Sequence, residues 1–143
     1  MTSVPFSDYR LDEQIGFLLR KAYQRHMAIC AERMEGRLTP VQFSILYRLV
    51  TEAGPVSQNA LGRLVTMDAA TTKGVVTRLK ERGLIVSHID AEDKRRHMLS
   101  TTEAGRALLR DLLPSMQAVT QDTLAPLEPH EQVMLLALLR KIA

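Results

Sequence analysis

Residues 57–96 read SQNALGRLVTMDAATTKGVVTRLKERGLIVSHIDAEDKRR, and their pattern decides the fold of this 143-residue chain. Ser57 suits the cap of a short helix, and Asp68 suits the cap of a second helix that follows a brief turn. Gly83 then ends the second helix, and two short segments rich in β-branched residues flank a charged turn at residues 90–96. This order predicts a winged helix-turn-helix, mainly α-helical with a small β-hairpin wing.

Amphipathic helices are predicted on both sides of this unit, at about residues 8–31, 39–53, 102–123 and 127–142. The first helix and the last two are too apolar to be satisfied by one small core. We therefore expect an obligate homodimer, whose two-fold axis would suit an inverted-repeat DNA site. The expected division of the single continuous domain is an N-terminal dimerisation helix, a winged DNA-binding lobe and C-terminal dimerisation helices, at residues 1–36, 37–101 and 102–143.

Composition restricts the partners. The net charge of +3 and the pI of about 9.3 allow a polyanionic partner such as DNA. No apolar run approaches the roughly 18 residues of a membrane span, so we expect no membrane partner. The first residues lack the pattern of a secretory signal, and a lone Cys30 excludes an internal disulfide. A cytoplasmic location is the simplest expectation.

The outer side of the second helix of the pair carries small and basic residues. Small side chains near its start permit close approach to base edges, and Thr71 can contact a base or a thymine methyl group. Lys73 and Arg78 can reach guanine or phosphate. Gly74 costs about 1 kcal/mol relative to alanine in a helix interior, which is understandable if a side chain there would strike DNA or a neighbouring helix. The DNA contacts predicted on this helix, against the alternative of an ordinary solvated face, are Ala69, Ala70, Thr71, Lys73, Gly74, Thr77 and Arg78.

Acidic residues precede basic ones in the charged turn. Asp93 is placed to hold Arg95 by an ion pair and to direct it into the minor groove, where narrow A·T-rich DNA attracts arginine. The start of the first helix of the pair can hold phosphate, although Ser57 can instead be a plain cap. The further predicted backbone contacts are Lys94, Arg96, Ser57, Gln58 and Asn59.

Taken together, the motifs resemble those of the multiple antibiotic resistance regulator (MarR) family of bacterial winged-helix repressors. The resemblance lies in residues 38–43 (LTPVQF), 61–64 (LGRL), 79–85 (LKERGLI) and 93–95 (DKR), followed by Thr102 and Gly105. It covers essentially the whole chain, and it implies the winged fold, the dimer and an operator-binding role. Thr101 departs from the leucine that usually precedes the threonine of the fifth helix.

Residues 15–22 (IGFLLRKA) and 67–74 (MDAATTKG) are similar to the subgroup that controls aromatic-acid catabolism. That similarity implies a ligand-responsive repressor released by an aromatic carboxylate or its coenzyme A thioester. Basic and aromatic side chains on the first and second helices would hold such a ligand. The candidate pocket residues, each with a surface or core role as the alternative, are Arg20, Tyr23, His26, Met27 and Tyr47.

Two other functions stay open at this point. Cys30 can act as a peroxide-sensing thiol if its pKa is lowered, although a buried structural cysteine is more common. A winged helix can also serve as a protein-interaction module. We expect neither an enzyme nor a cofactor, because no catalytic constellation is visible. The histidines at positions 26, 88, 97 and 130 lack metal-ligand spacing, so no metal site is predicted.

Overall fold

The computed structural model describes residues 5–143, which form six α-helices and one small antiparallel sheet. Two single-turn 3₁₀ helices, Phe6–Asp8 and Leu11–Glu13, precede them. The α-helices and strands, in chain order, are α1 (Ile15–Met34), α2 (Pro40–Thr51), β1 (Val56–Ser57), α3 (Gln58–Leu64), α4 (Ala69–Glu81), β2 (Ile85–Ile89), β3 (His97–Thr101), α5 (Glu103–Leu124) and α6 (Pro129–Ile142).

The first long helix begins later than the sequence predicts. The prediction of a helix from about residue 8 is wrong, because α1 begins at Ile15 and Gln14 still has an extended backbone. The preceding 3₁₀ turns carry Asp8 and Asp12, and aspartate side chains favour turns and caps over helix interiors. At its other end α1 stops in two left-handed residues, Glu35 and Gly36, as the sequence break at Gly36 suggested.

The winged unit is held together by its sheet, whose strand order is β1-β3-β2. Strands β2 and β3 form the hairpin that the sequence predicts, with Ser87 opposite Leu99. Strand β1 was missed, because two residues are too short to show an alternating pattern. Its pairing of Ser57 with Met98 fixes the start of α3 beside the wing.

One apolar core lies between α2, α3, α4, the sheet and the first half of α5. At its centre Ile45, Leu46, Leu61, Leu79 and Leu99 have no exposed surface. Burying each such side chain stabilises the fold by about 1.5–3 kcal/mol relative to leaving it in water. Because one side of α4 packs into this core, the position of the helix is fixed and its opposite side faces solvent.

The start of α5 is fastened to the end of α4. The Thr102 hydroxyl donates to the Gly83 carbonyl oxygen (2.7 Å) and accepts from the Gly105 amide (3.1 Å), and the Thr102 amide donates to the Leu84 carbonyl oxygen (3.1 Å). Gly105 lies so close to Leu84 that a Cβ built on it would overlap the Leu84 carbonyl oxygen. We call the four residues Gly83, Leu84, Thr102 and Gly105 the joint. It attaches the first turn of the 22-residue α5 to the chain that follows α4.

Thr101, the residue that departs from the family pattern, has an unsatisfied hydroxyl. Its Oγ1 is buried and has no hydrogen-bond partner among residues 5–143. We predict that Thr101→Val raises the free energy of unfolding by about 1 kcal/mol, because it removes a desolvated polar group while keeping the shape. Thermal or urea unfolding measures the change. The matched control is Thr102→Val, which removes two observed hydrogen bonds and should lower stability; equal effects of the two substitutions would contradict the prediction.

Helix α6 is poorly covered by its own chain. None of its residues is buried, and the Gln132 side chain ties it to α5 by donating to the Leu124 and Leu127 carbonyl oxygens at 3.1 Å each. Met134 and Leu138 are 57% and 51% exposed, and Ile142 is 67% exposed. Residues four apart share one face of a helix, so these three form a continuous apolar stripe. The stripe is part of the apolar surface on the first and last helices for which the sequence predicts a second copy of the chain.

Candidate DNA-binding surface and effector pocket

Helix α4 presents its predicted contact residues to solvent. Its inner face buries Thr72, Val75, Val76 and Leu79 in the core. On the outer face Gly74 is half-buried, and the exposed residues are Ala69, Ala70, Thr71, Lys73, Thr77 and Arg78. All seven predicted positions therefore share one accessible face that begins with small side chains.

Two hydroxyl groups on this face are already committed within the helix. Thr71 donates its hydroxyl proton to Asp68 Oδ2 (3.0 Å), and Thr77 donates its own to the Lys73 carbonyl oxygen (2.8 Å). The amide and hydroxyl of Thr71, which both donate to Asp68, hold the pKa of that carboxyl below its usual range. Thr71 and Thr77 can therefore offer a ligand a methyl group and an acceptor oxygen. These groups suit contact with a thymine methyl better than donation of a hydrogen bond to a base.

The wing shows the predicted ion pair. Arg95 Nε lies 3.2 Å from Asp93 Oδ1, and the Arg95 side chain is 92% exposed. The side-chain and backbone hydrogen bonds from Arg95 hold the pKa of Asp93 below its usual range, so this carboxylate stays charged at neutral pH. Arg96 Nη1 lies 3.4 Å from Asp90 Oδ2. Asp93 thus orients an arginine that projects from the tip of the hairpin.

The start of α3 forms a polar recess with the wing. Ser57 accepts a hydrogen bond from the Ala60 amide (3.2 Å) and is therefore the helix cap. Ser57, Gln58 and Asn59 border a cavity of about 330 Å³ together with Arg95 and wing neighbours. Arg63 also borders this cavity, and the sequence analysis missed it. The only sequence signal was a basic residue on the outer side of a short helix.

A second, apolar cavity of about 350 Å³ lies between α1, α5 and α6, away from the winged unit. Its floor is made of leucine and alanine side chains with a few polar groups at the edge. The bordering residues are Leu19, Ala22, Tyr23, His26, Thr120, Thr123, Leu124, Leu135, Leu136 and Leu139. We call this cavity the α1/α5/α6 pocket; its size and apolar lining suit a small planar molecule.

Only part of the predicted ligand set meets at this pocket. Tyr23 and His26 border it, and their rings are tilted by 31° with centroids 6.1 Å apart. Arg20 is exposed on α1 three residues before Tyr23, and Met27 is half-buried beside His26, but neither borders the cavity. Tyr47 lies on α2 and stacks on Phe43 at 6.4 Å, which places it elsewhere.

His26 is held in one orientation by its neighbours. The Thr123 hydroxyl oxygen lies 2.8 Å from the Val119 carbonyl oxygen, to which it can donate, and 2.9 Å from His26 Nδ1. His26 Nε2 lies 3.5 Å from Cys30 Sγ. Both ring nitrogens of His26 therefore have a partner within the same chain.

Known proteins share both sequence and fold with this chain. The MarR family profile matches residues 38–97. The HTH-type transcriptional repressor NicR of Pseudomonas putida is 40% identical over 135 residues, which is 94% of this chain and 85% of NicR. The chain belongs to the MarR family.

Solved MarR-like structures superpose closely. A probable transcriptional regulator from Pseudomonas aeruginosa is 48% identical, covers 94% of this chain and 100% of its own, and gives a TM-score of 0.88. Bordetella bronchiseptica BpsR, solved for the mechanism by which 6-hydroxynicotinic acid regulates its DNA binding, is 38% identical. It covers 94% of this chain and 96% of its own, also with a TM-score of 0.88.

As a MarR-family member, the chain is a DNA-binding transcriptional repressor that acts as a dimer, and it is not an enzyme. Family membership thereby disfavours the protein-interaction module. Within residues 5–143, no helix is long and apolar enough to cross a bilayer. No three histidine, cysteine or acidic side chains in that same range are grouped to hold a metal ion.

Gly74 gives a direct test of how closely this MarR-family helix approaches DNA. A Cβ at Gly74 would meet no atom of its own chain within 4 Å, so no neighbouring helix requires the glycine. We predict that Gly74→Ala raises the free energy of unfolding by about 1 kcal/mol yet weakens operator binding. Thermal unfolding and a DNA titration on the same preparation measure both. A more stable variant with unchanged affinity would show that the middle of α4 does not touch DNA.

Cys30 does not have the environment of a sensing thiol. It has no exposed surface, and burial raises the pKa of its thiol. Because the thiolate is the reactive form, peroxide should react slowly. We predict that hydrogen peroxide leaves the operator affinity of the wild type and of Cys30→Ser equal. If peroxide released the wild type from the operator but did not release Cys30→Ser, the alternative function of Cys30 as a redox sensor would be supported.

Proposed function

We propose that this MarR-family dimer represses genes for aromatic-compound breakdown and leaves its inverted-repeat operator when a single-ring aromatic acid binds. The observation that carries the proposal is the α1/α5/α6 pocket, an apolar cavity of about 350 Å³ with Tyr23 and His26 at its edge. The similarity to BpsR, whose DNA binding is regulated by 6-hydroxynicotinic acid, supports a hydroxylated ring acid as the effector. A regulator of this kind works where the chromosome is, which for a bacterium is the cytoplasm.

The pocket favours the free acid over its coenzyme A thioester. A cavity of this volume accommodates one ring with its substituents, whereas a coenzyme A group is several times larger. Among residues 5–143, no lysine or arginine borders the pocket to neutralise the phosphates of coenzyme A. The ring would pack between Leu19 and Leu136 and stack near Tyr23 and His26.

The carboxylate of the acid requires a cation at the rim. Arg20 is exposed, makes no salt bridge within residues 5–143, and precedes Tyr23 by three positions on α1. Residues three apart are neighbours on a helix surface, so the guanidinium can reach over Tyr23 to the pocket rim. We assign Arg20 the carboxylate and Tyr23 the ring; Met27 and Tyr47 support the surrounding helices.

Helix α5 connects the pocket to the DNA-binding surface. Its last turns supply Thr120 and Thr123 to the pocket, and its first turn is the joint with the end of α4. Over 22 residues the helix spans about 33 Å, with Pro114 near its middle. A small tilt of α5 on ligand binding therefore moves α4, and a misfit of a few ångströms against the second half-site lowers specific affinity.

The assignment of roles follows the three segments expected from the sequence. Residues 1–36 and 102–143 would form the dimer and the pocket, and residues 37–101 would bind DNA. The proposed base-reading and phosphate-binding set is Ser57, Gln58, Asn59, Ala69, Ala70, Thr71, Lys73, Gly74, Thr77, Arg78, Lys94, Arg95 and Arg96. Its support is that the α4 members share one accessible face and that Ser57, Gln58, Asn59, Arg95 and Arg96 border one recess.

The proposal is tested by titrating the dimer against DNA from its own upstream region, with and without a panel of ring acids and their coenzyme A thioesters. We expect tight binding that a hydroxylated single-ring acid releases and that the thioesters do not. Arg20→Gln should bind DNA normally but need far more acid for release, whereas the matched variant Arg106→Gln should respond as the wild type does. Tight binding that no compound in the panel releases would remove the aromatic-acid function.

A further inference from the structure

Three arginines and a histidine meet in the recess between α3 and the wing. Arg63, Arg95, Arg96 and His97 border this cavity of about 330 Å³. The β1–β3 pairing, in which Ser57 lies opposite Met98, holds the start of α3 against the base of the wing. This pairing places Arg63, on α3, near Arg96 and His97 at the base of the wing, and all three side chains border the recess.

Of the three arginines that border this recess, Arg63 is the one without an acidic partner among residues 5–143. Arg95 is paired with Asp93 and Arg96 with Asp90. Arg63 is exposed, and its side chain makes no salt bridge or hydrogen bond within the described range 5–143. Glu52 borders an adjoining recess with Arg63 but is not paired with it. An anion entering here would find a free guanidinium.

Arg63 also lies between the two elements assigned to the DNA grooves. It borders the wing recess on one side, and on the other it borders a small cavity shared with Ala69 at the start of α4. If α4 enters the major groove and the wing enters the adjacent minor groove, the sugar–phosphate strand that separates these grooves must pass between them. The phosphates of that strand then face Arg63.

We propose that Arg63 binds a backbone phosphate of the strand running between α4 and the wing, with Arg96 and His97 on the other side of the same recess. This assignment rests on the proposed placement of α4 and the wing on DNA. A phosphate contact positions the protein without reading sequence. Arg63 should therefore contribute affinity to every duplex, and the contribution should depend strongly on salt.

The experiment compares the wild-type dimer with Arg63→Gln, Arg63→Lys and Arg106→Gln. The last variant removes an equal charge from an exposed α5 arginine that makes no side-chain pair within residues 5–143. Affinity for the operator and for a mixed-sequence duplex is measured over a range of salt concentrations, after thermal unfolding has shown that each variant is folded.

Loss of one phosphate contact per subunit should lower the magnitude of the slope of log K against log salt by about two per dimer. At 0.1 M salt Arg63→Gln should then bind both duplexes roughly 10- to 100-fold more weakly, with Arg63→Lys recovering most of the loss. Arg106→Gln should keep the wild-type slope. An Arg63→Gln slope equal to that of Arg106→Gln, or a loss confined to the operator, would overturn the proposal. Binding to the mixed-sequence duplex tests the Arg63 phosphate contact even if no upstream operator or effector is found. Failure of this proposal can therefore be distinguished from failure of the proposed aromatic-acid response.

Discussion

Gly105→Ala should destabilise the protein by about 3 kcal/mol or more, the largest effect we expect from adding one methyl group. A Cβ at this position would overlap the Leu84 carbonyl oxygen, which is backbone and cannot swing aside. Relief requires α5 to move away from α4, and this breaks the hydrogen bonds of Thr102 to Gly83 and Leu84. Urea unfolding of the variant and the wild type measures the loss.

The control for this substitution is Gly74→Ala, because a Cβ there meets open space. It should raise stability by about 1 kcal/mol, in the opposite direction. If Gly105→Ala remains folded at lower stability, the communication between pocket and DNA should also be altered, since the joint connects α5 to α4. Wild-type stability of Gly105→Ala would contradict the close approach of α5 to the Leu84 backbone.

Leu138→Glu should separate the dimer and abolish tight operator binding. Leu138 is 51% exposed and lies between Met134 and Ile142 on the uncovered apolar stripe of α6. A charge buried there against a second copy would be unpaired, and such burial is strongly unfavourable. A monomer engages one half-site only, so the avidity factor of about 10²–10⁴ is lost.

Analytical ultracentrifugation and a DNA titration together check this prediction. Arg140→Glu is the control, because it places a carboxylate at an exposed α6 position two residues after Leu138, on the opposite side of the helix from the stripe. It should remain dimeric and bind the operator as the wild type does. A Leu138→Glu variant that stays dimeric would show that α6 is not part of the interface.

The local signals in the sequence were sufficient for much of the fold. Thr39 and Gln42 form the capping box that their spacing predicted, and Gly83 has the positive φ of 72° expected of a helix C-cap. The pairing of Asp93 with Arg95 also followed from sequence order. Each of these features depends on residues within a few positions of one another, so each is visible without tertiary information.

Features that depend on distant segments were not predictable. The β1 strand exists only because Val56 and Ser57 pair with β3, some forty positions later. Arg63 gained a candidate role only when that pairing brought it to the wing. For the same reason, only some of the predicted ligand residues border the pocket. The packing of α1 on α5 places Tyr23 and His26 there, whereas Tyr47 lies elsewhere on α2.

One residue of the helix-turn-helix departs from what local preference would choose. Thr66, in the turn between α3 and α4, has a φ of 58°, a left-handed conformation that is costly for a β-branched side chain. The flanking hydrogen bond from the Met67 amide to the Gly62 carbonyl oxygen (2.8 Å) holds the turn. The packing of α3 on α4 outweighs the cost of this left-handed conformation at Thr66. Sequence patterns do not reveal such a position.

A hydroxyl-radical footprint of the dimer on its operator, with and without the releasing acid, tests the central claim most directly. We predict two protected half-sites about 10 base pairs apart, centre to centre, each with phosphate protection flanking the α4 and wing contacts. Saturating acid should remove both protections together. A single protected half-site, or protections that persist when the acid is bound, would contradict a dimer that reads an inverted repeat and is released through the α1/α5/α6 pocket.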